Sequence, residues 1–579
     1  MKVPGSEHNR PWLALILAAQ AGLVFWLSLR YQGLWISDDE FPYLGQAVGL
    51  WLGHFPLDPT RPLLYPLFLS IWLRLFGYNL FWLRFVQGIC LVLTTALVYR
   101  FALRAAGPRP ALIAAALFAF FPDGLFFAHR FYRESLAAFL LMLGLNLMLA
   151  FEKSKRPVFA PLAAGFVFGL LVLLKPECSS LLALLALLLL GLGFQDRGQR
   201  AAKLQFAGLL LLASAITILQ MVSIDRVIYN EWIFVTTYKG YNYSLSYCGE
   251  LADPKAGRPP FSFLERDGAR YQAMNPFASR LLYHPTSSVS YGERDDMLAK
   301  KALGCIRAEP GKVLYFYGAR WLEGIYRLDL QAAQWVLKGF YGTWPQPLIW
   351  MILLLSLAIN LAVLAGLALA PLNAKPNLPS ALALLVVLWH LFYYASVFYL
   401  SRFRIATFPC FIILAAIGLA GVASLFQSPA RWKKILALVV AALLLLPGFS
   451  NFINADNLRL LRPEPGPKRF ALGPGTSAEV QSNYFILFGN RFRDYGRLDL
   501  FSDQFGKHLK KISGSIKPSA LMTAARYYVA QNDPAMARFY ASLALNYPET
   551  KDQAAELLKH LDVRARFPSF VVPRSRGTK

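Results

Sequence analysis

Residues 61–77, "RPLLYPLFLSIWLRLFG", form an apolar segment that either crosses a bilayer or lies on one, and the choice decides how the rest of the chain is threaded. Only Tyr78 and Asn79 separate it from the next apolar run, too little for a turn between two crossing helices. Lys and Arg in short loops report the cytoplasmic side. With residues 61–77 kept on the outer face as an interfacial or re-entrant helix, all the short basic clusters fall on one side. These are Lys2 and Arg10; Arg100, Arg104 and Arg109; Lys153, Lys155 and Arg156; Arg197, Arg200 and Lys203; and Arg431, Lys433 and Lys434. Counted as a crossing, the segment would put Lys2 and Arg10 on the side opposite to all the later clusters.

The remaining apolar runs lie at 12–29, 80–99, 111–127, 134–151, 157–174, 177–194, 203–223, 345–370, 378–399, 405–425 and 435–449. Each is near the length needed to cross a ~30 Å hydrocarbon core, so about eleven transmembrane helices are expected. The chain is 56% hydrophobic over 579 residues with mean hydropathy +0.41, more apolar surface than a soluble fold of this size buries. The expected class is an all-α polytopic membrane protein. The first span is read as a retained helix, because "WISDDE" rather than a small-residue cleavage site follows it.

Three regions then face outward: residues 30–79, a large loop at 224–343, and residues 451–579. The last region opens on the Pro/Gly-rich "LRPEPGPKRFALGPGTS" and continues into "LMTAARYYVAQNDPAMARFYASLALNYPETKDQAAELLKHL", read as two amphipathic helices broken at "NDP". Ala525, Tyr528, Ala537, Tyr540, Ala544 and Pro548 are spaced as in one tetratricopeptide-type unit, a helix pair at 518–561 within a small, mainly helical C-terminal domain. Cys90, Cys178 and Cys410 fall in spans; Cys248 and Cys305 share the large loop and, in an oxidising compartment, are either a disulfide or two free thiols. The net charge of +26 extends to this outward tail, where nucleic acid is not an expected partner and anionic lipids, phosphorylated carriers or an acidic cell-envelope polymer are.

The outward loops carry the chemistry. "SDDEFPYLGQA" places Asp38, Asp39 and Glu40 at the start of an amphipathic helix expected to lie on the membrane. They either cap that helix and favour its dipole or supply a general base at the bilayer surface. Arg61 is a fork of donors suited to a phosphate, or a snorkelling cation. "FPDGLFFAHRFYRESLAAFL" holds Glu134 at a membrane boundary, with Asp123 and His129 expected in a loop that meets water. "LLKPECS" places Lys175 and Glu177 around Pro176 as an ion pair, and "SRFRIATFP" sets Arg402 and Arg404 where an anionic lipid phosphate is the natural partner. Tyr238, Tyr241, Tyr243 and Tyr247 either stack on sugar rings or form the large loop's own core.

Together these motifs resemble the GT-C superfamily of membrane glycosyltransferases, in the branch of the aminoarabinose transferases and the protein O-mannosyltransferases. "DDEFPYLGQA" looks like the branch's first-loop Asp-Glu motif with its following tyrosine, here Asp39, Glu40 and Tyr43. "TRPLLYPLFLSIWLRLFG", "RESLAAFLL", "GLLVLLKPECSSLL" and "SRFRIATFPCFIILAAIGL" are similar to further stretches of it, and Asp38 adds an acid beside the pair.

The resemblance implies a GT-C fold at residues 1–450 and an inverting transferase that moves a sugar from a polyprenyl-phosphate donor to an envelope glycan, glycolipid or protein acceptor. The site would face outward from a bacterial cytoplasmic membrane. It implies Asp39 as base, with Glu40 and Asp38 beside it, and Arg61, Glu134, Arg402, Arg404 and Tyr43 at the donor; some relatives need a divalent cation and others do not. The alternatives are an envelope-polymer ligase or polymerase using a pyrophosphate-linked donor, and a lipid or glycan transporter with mid-span charges and inverted repeats.

Overall fold

The computed structural model describes residues 9–30, 40–54, 59–150, 158–195, 200–248, 290–326, 345–373, 377–397, 401–422, 518–530 and 533–566, and no strand occurs among them. Two units divide the chain.

The first unit contains α1 (Arg10–Arg30), α2 (Glu40–Trp51), α3 (Leu64–Phe76), α4 (Leu80–Ala106), α5 (Pro108–Ala119), α6 (Pro122–Phe127), α7 (Glu134–Ala150), α8 (Phe159–Leu174), α9 (Cys178–Gln195) and α10 (Arg200–Tyr229). In the large loop follow α11 (Lys239–Cys248), α12 (Tyr291–Ala308) and α13 (Pro310–Tyr326), then α14 (Gln346–Asn373), α15 (Leu378–Ser396) and α16 (Ser401–Ala420). Six helices are long and apolar enough to cross a membrane by length and composition: α1, α4, α10, α14, α15 and α16; shorter apolar helices run at α3, α5, α7, α8 and α9. The expected span at 435–449 lies outside the described residues.

Thirteen residues give α3 a length of about 20 Å, short of a ~30 Å core. Gly77 at φ 64° stops it in the left-handed region, where a Cβ is strained, and the Asn79 side chain then accepts the Phe81 N–H to start α4. The expected span at 111–127 is not continuous: α5 stops at Ala119 and α6 begins at Pro122. Proline lacks an N–H and holds Phe121 in extended backbone, φ −68° and ψ 110°. A second departure concerns α2, expected to expose a polar face; instead Tyr43, Leu44, Gln46, Ala47, Val48 and Leu50 are all buried.

The helices alternate between two ends of the bundle. At one end Asn9 Nδ2 donates to Pro108 O at 2.8 Å, Asn377 Nδ2 to Ala105 O at 2.8 Å, and Arg104 to Asn146 O at 3.3 Å. At the other, Trp389 Nε1 donates to Ser180 Oγ at 2.9 Å. The most enclosed span is α16, 89% buried, whereas α1 and α10 are 22% and 28% buried and present Trp12, Leu15, Leu212 and Leu219 outward, as lipid-facing helices do. Helices α14 and α16 cross so closely that a Cβ on Gly418 would meet Gly366 O, and one on Gly366 would meet Ala415 O.

The large-loop helices are tied down by backbone capping. Ser290 and Glu293 form a capping box on α12, whose Tyr291 and Gly292 N–H groups also donate to Glu231. Gly240 N donates to Asp295 Oδ1 at 2.6 Å, and a disulfide joins Cys248 to Cys305 with Cα atoms 5.6 Å apart, so the two loop thiols pair. Tyr317 OH donates to Phe392 O at 3.3 Å, seating α13 on the end of α15.

In the second unit the described helices beyond Phe41 are α17 (Pro518–Ala530), α18 (Pro534–Ala544) and α19 (Lys551–Arg566): three, where the sequence was read as two. The added break is the turn at Asn546–Thr550, which contains Pro548 and is closed by Thr550 Oγ1 donating to Ala544 O at 2.9 Å. Tyr528 and Tyr540 stack at 5.6 Å with Ala525, Ala537 and Ala544 buried around them, so the alanines admit close helix packing and the tyrosines fill the seam.

Two outcomes test these contacts. Gly418→Leu forces α14 and α16 apart and should lower stability by about 1–3 kcal/mol or more, read as a lower melting midpoint of the detergent-solubilised protein. Cys305→Ser opens the covalent loop and should cost about 2–4 kcal/mol, with the Cys248–Cys305 cross-linked peptide present in non-reducing maps of the native chain.

Candidate active site

Ionisable side chains converge at the end of the bundle where α7, α9 and α16 begin and α8 and α15 stop. Pro176 forbids helix at Lys175, whose backbone is extended at φ −138°, and Cys178 N donates to Lys175 O at 2.9 Å to close the turn. Lys175 Nζ is thereby held 3.1 Å from Glu177 Oε1, the expected ion pair. The same oxygen accepts the Tyr394 hydroxyl at 3.1 Å and lies 4.0 Å from the Arg133 guanidinium. Arg133 also donates to Leu174 O at 2.8 Å, and Glu134 follows it as the first residue of α7, where the helix dipole favours a carboxylate. Burial pushes the Glu177 carboxyl up, but Lys175 and Arg133 outweigh it and hold the group down at about 2. Burial opposes the charge on Arg133 too, and Tyr43, Glu177 and Glu134 more than offset it, raising its pKa.

Aromatic rings carry the cations. The Lys175 ammonium lies 5.3 Å from the Phe403 ring and 6.0 Å from Tyr394, which stack on each other at 4.9 Å. Arg402 and Arg130 both lie 5.2 Å from the Tyr132 ring. Arg61 lies 4.8 Å from Tyr238 and 6.0 Å from Tyr43, and Thr236 and Thr237 bond Thr60 O and Pro59 O, so the first outer loop and the large loop meet at Arg61. Arg404 is buried over Phe408 and Phe411, while Thr407 Oγ1 lies 2.9 Å from His390 Nδ1.

A polar network supports this end. Tyr65 OH donates to Gln87 Oε1 at 2.6 Å, Gln87 Nε2 donates to Arg130 O at 2.6 Å, and Arg84 Nε donates to His129 O at 2.9 Å. Asp123 and His129 were expected to meet water, but both are fully buried. The His129 ring reaches Leu125 O at 2.6 Å and Val24 O at 3.0 Å, so it fastens the α6–α7 loop to α1. Burial pushes its pKa down to about 4.

Of the residues singled out in the sequence, Tyr43 and Arg61 come together, as do Arg402 and the Lys175–Phe403 group. Glu40 opens α2 and is buried. Asp38 and Asp39 lie outside the described residues, and among the described residues no three His, Cys, Asp or Glu side chains are grouped to hold a metal ion. Sequence reasoning did not single out Arg84, Gln87, His390 or Tyr394. An arginine one turn inside an apolar span was the available signal for Arg84.

Residues 60–223 match the dolichyl-phosphate-mannose-protein mannosyltransferase family. That stretch contains Arg61, Arg133, Glu134, Lys175 and Glu177, and the match agrees with the glycosyltransferase resemblance of the motifs. No curated protein matches the sequence. Among solved structures, the chain is similar to the archaeal oligosaccharyltransferase AglB from Archaeoglobus fulgidus in complex with an inhibitory peptide and a dolichol-phosphate: 15% identity, TM-score 0.45, 84% of this chain and 59% of that one. It is also similar to ArnT from Cupriavidus metallidurans bound to undecaprenyl phosphate: 14% identity, TM-score 0.33, 72% of this chain and 81% of that one. The chain thus spans about three-fifths of the length of the archaeal protein.

Acid should loosen this end through His129. Its folded pKa of about 4 lies below the ordinary 6.5, so its contribution is complete above pH 6.5 and is lost as pH falls towards 4; that of Glu177 is lost only between about 4.5 and 2. Melting midpoints recorded from pH 7 to pH 4.5 should fall for the native chain and fall less steeply for His129→Asn.

Proposed function

We propose that this protein is a membrane glycosyltransferase that takes a sugar from a polyprenyl-phosphate donor and transfers it, with inversion, to a hydroxyl of an envelope glycan, glycolipid or protein acceptor. The observation that carries the reading is the mannosyltransferase-family match over residues 60–223, the segment that also supplies the buried cations Arg84, Arg130 and Lys175 at one end of the bundle. That end faces outward when the short basic clusters are placed in the cytoplasm, which supports a reaction at the outer face of a bacterial cytoplasmic membrane.

In this mechanism Asp39 removes the acceptor's hydroxyl proton as the oxygen forms its bond to the anomeric carbon. The bond from that carbon to the phosphate oxygen breaks, its electron pair stays on that oxygen, and the carrier leaves as a phosphate monoester. Arg61 and Arg402 meet the charge that grows on the leaving phosphate, as guanidinium forks suit two phosphate oxygens. Glu40 and Asp38 support the base. The rings of Tyr43 and Tyr238 flank Arg61, and that of Tyr132 flanks Arg402.

The test is transfer from a panel of radiolabelled polyprenyl-phosphate sugars into envelope extract. The native chain should move one sugar of the panel. Asp39→Asn, eluting as a folded species in gel filtration, should lose about a hundredfold or more, and Glu40→Gln less. Full activity in both variants would reduce the acids to a helix cap and remove the assigned base.

A further inference from the structure

Arg133, Glu134, Lys175 and Glu177 balance in charge but not in hydrogen bonding. Glu177 Oε1 is crowded, with Lys175 and the Tyr394 hydroxyl each at 3.1 Å and Arg133 at 4.0 Å. Glu134 is 2% exposed, and its Oε2 accepts from no group. Lys175 is 1% exposed; among the described residues its ammonium pairs with Glu177 Oε1 alone, and the rings of Phe403 and Tyr394 lie beside it. A buried carboxylate oxygen with no donor and a buried ammonium with a single carboxylate partner for its three protons therefore lie at the same end of the bundle. Leaving such groups unmade destabilises the apo protein.

A ligand that completes both must bring an anionic oxygen for the ammonium and an O–H for the carboxylate. A bare phosphate dianion supplies only the first and would be repelled by Glu134. A sugar phosphate supplies both on adjacent groups. We propose that Lys175 and Glu134 together read the donor headgroup: Lys175 binds the phosphate, and Glu134 accepts a hydroxyl of the sugar being transferred. Glu134 thus moves from the phosphate-binding set to the sugar, and becomes a specificity-determining residue, because only a sugar with a hydroxyl at that position satisfies it. This assignment rests on the glycosyltransferase reading.

The test uses the full chain in detergent and two probes, undecaprenyl phosphate and the undecaprenyl-phosphate sugar that supports transfer. Lys175→Met should weaken both probes about tenfold or more, and Lys175→Arg should restore most of the loss. Glu134→Gln should weaken only the sugar-bearing lipid, leaving the bare phosphate within about twofold. Because Lys175→Met strips a partner from Glu177, it is also made with Glu177→Gln, and a folded double variant that binds like the native chain overturns the proposal. So does Glu134→Gln if it weakens both lipids equally or neither. Native protein that transfers sugar while these variants bind normally defeats this inference alone; native protein that binds neither lipid and transfers nothing defeats the glycosyltransferase reading with it.

Discussion

Glu177 Oε1 is the point on which this end of the molecule depends. One carboxylate oxygen faces an ammonium and a phenol at 3.1 Å and a guanidinium at 4.0 Å, and the groups come from the α8–α9 turn, the end of α15 and the start of α7. In a low dielectric a charge is tolerated only where an opposite charge and hydrogen bonds meet it. The carboxylate therefore binds together three stretches far apart in sequence, and its loss would leave buried Lys175 and partly buried Arg133 without their shared counter-charge. Tertiary packing then cannot relax at this end without a large electrostatic cost, which keeps the cations in place for an incoming anion.

The apolar part of the bundle obeys a different rule. Between helices in lipid there is no water to expel, so close packing of small residues and satisfied side-chain donors hold them together. The approach of α14 and α16 at Gly366 and Gly418 is such a contact, and it places Arg402 and Phe403, at the start of α16, against Tyr132 and Lys175. In the large loop the same task falls to covalent and capping contacts: the disulfide joins α11 to α12, and Arg61 is held between a ring of each outer segment.

The elements legible in the sequence were those with a one-dimensional signal. Runs of apolar residues located α1, α4, α7 to α10 and α14 to α16 with shifts at their ends. Where the signal was local and strong the reading was good, as at the Lys-Pro-Glu turn. It failed where burial depends on what lies across the bundle. Asp123 and His129 are polar loop residues, and nothing beside them in the chain tells that Val24 of α1 stands over the histidine. The break at Pro122 was readable from proline's missing N–H, yet the hydropathy of the flanking phenylalanines hid it.

By itself the sequence determined that this chain is helical, membrane-embedded, and charged at the ends of its helices, because hydrophobic length and loop charge are properties of contiguous residues. Its motifs also carried the glycosyltransferase resemblance. Only the tertiary structure decided which charges meet: that Glu177 serves Lys175, Arg133 and Tyr394, and that Glu134 and Lys175 are enclosed at the same end of the bundle. Glu177 meets Arg133 from another helix and Tyr394 from a helix more than two hundred residues further along the chain, and no periodicity records such contacts.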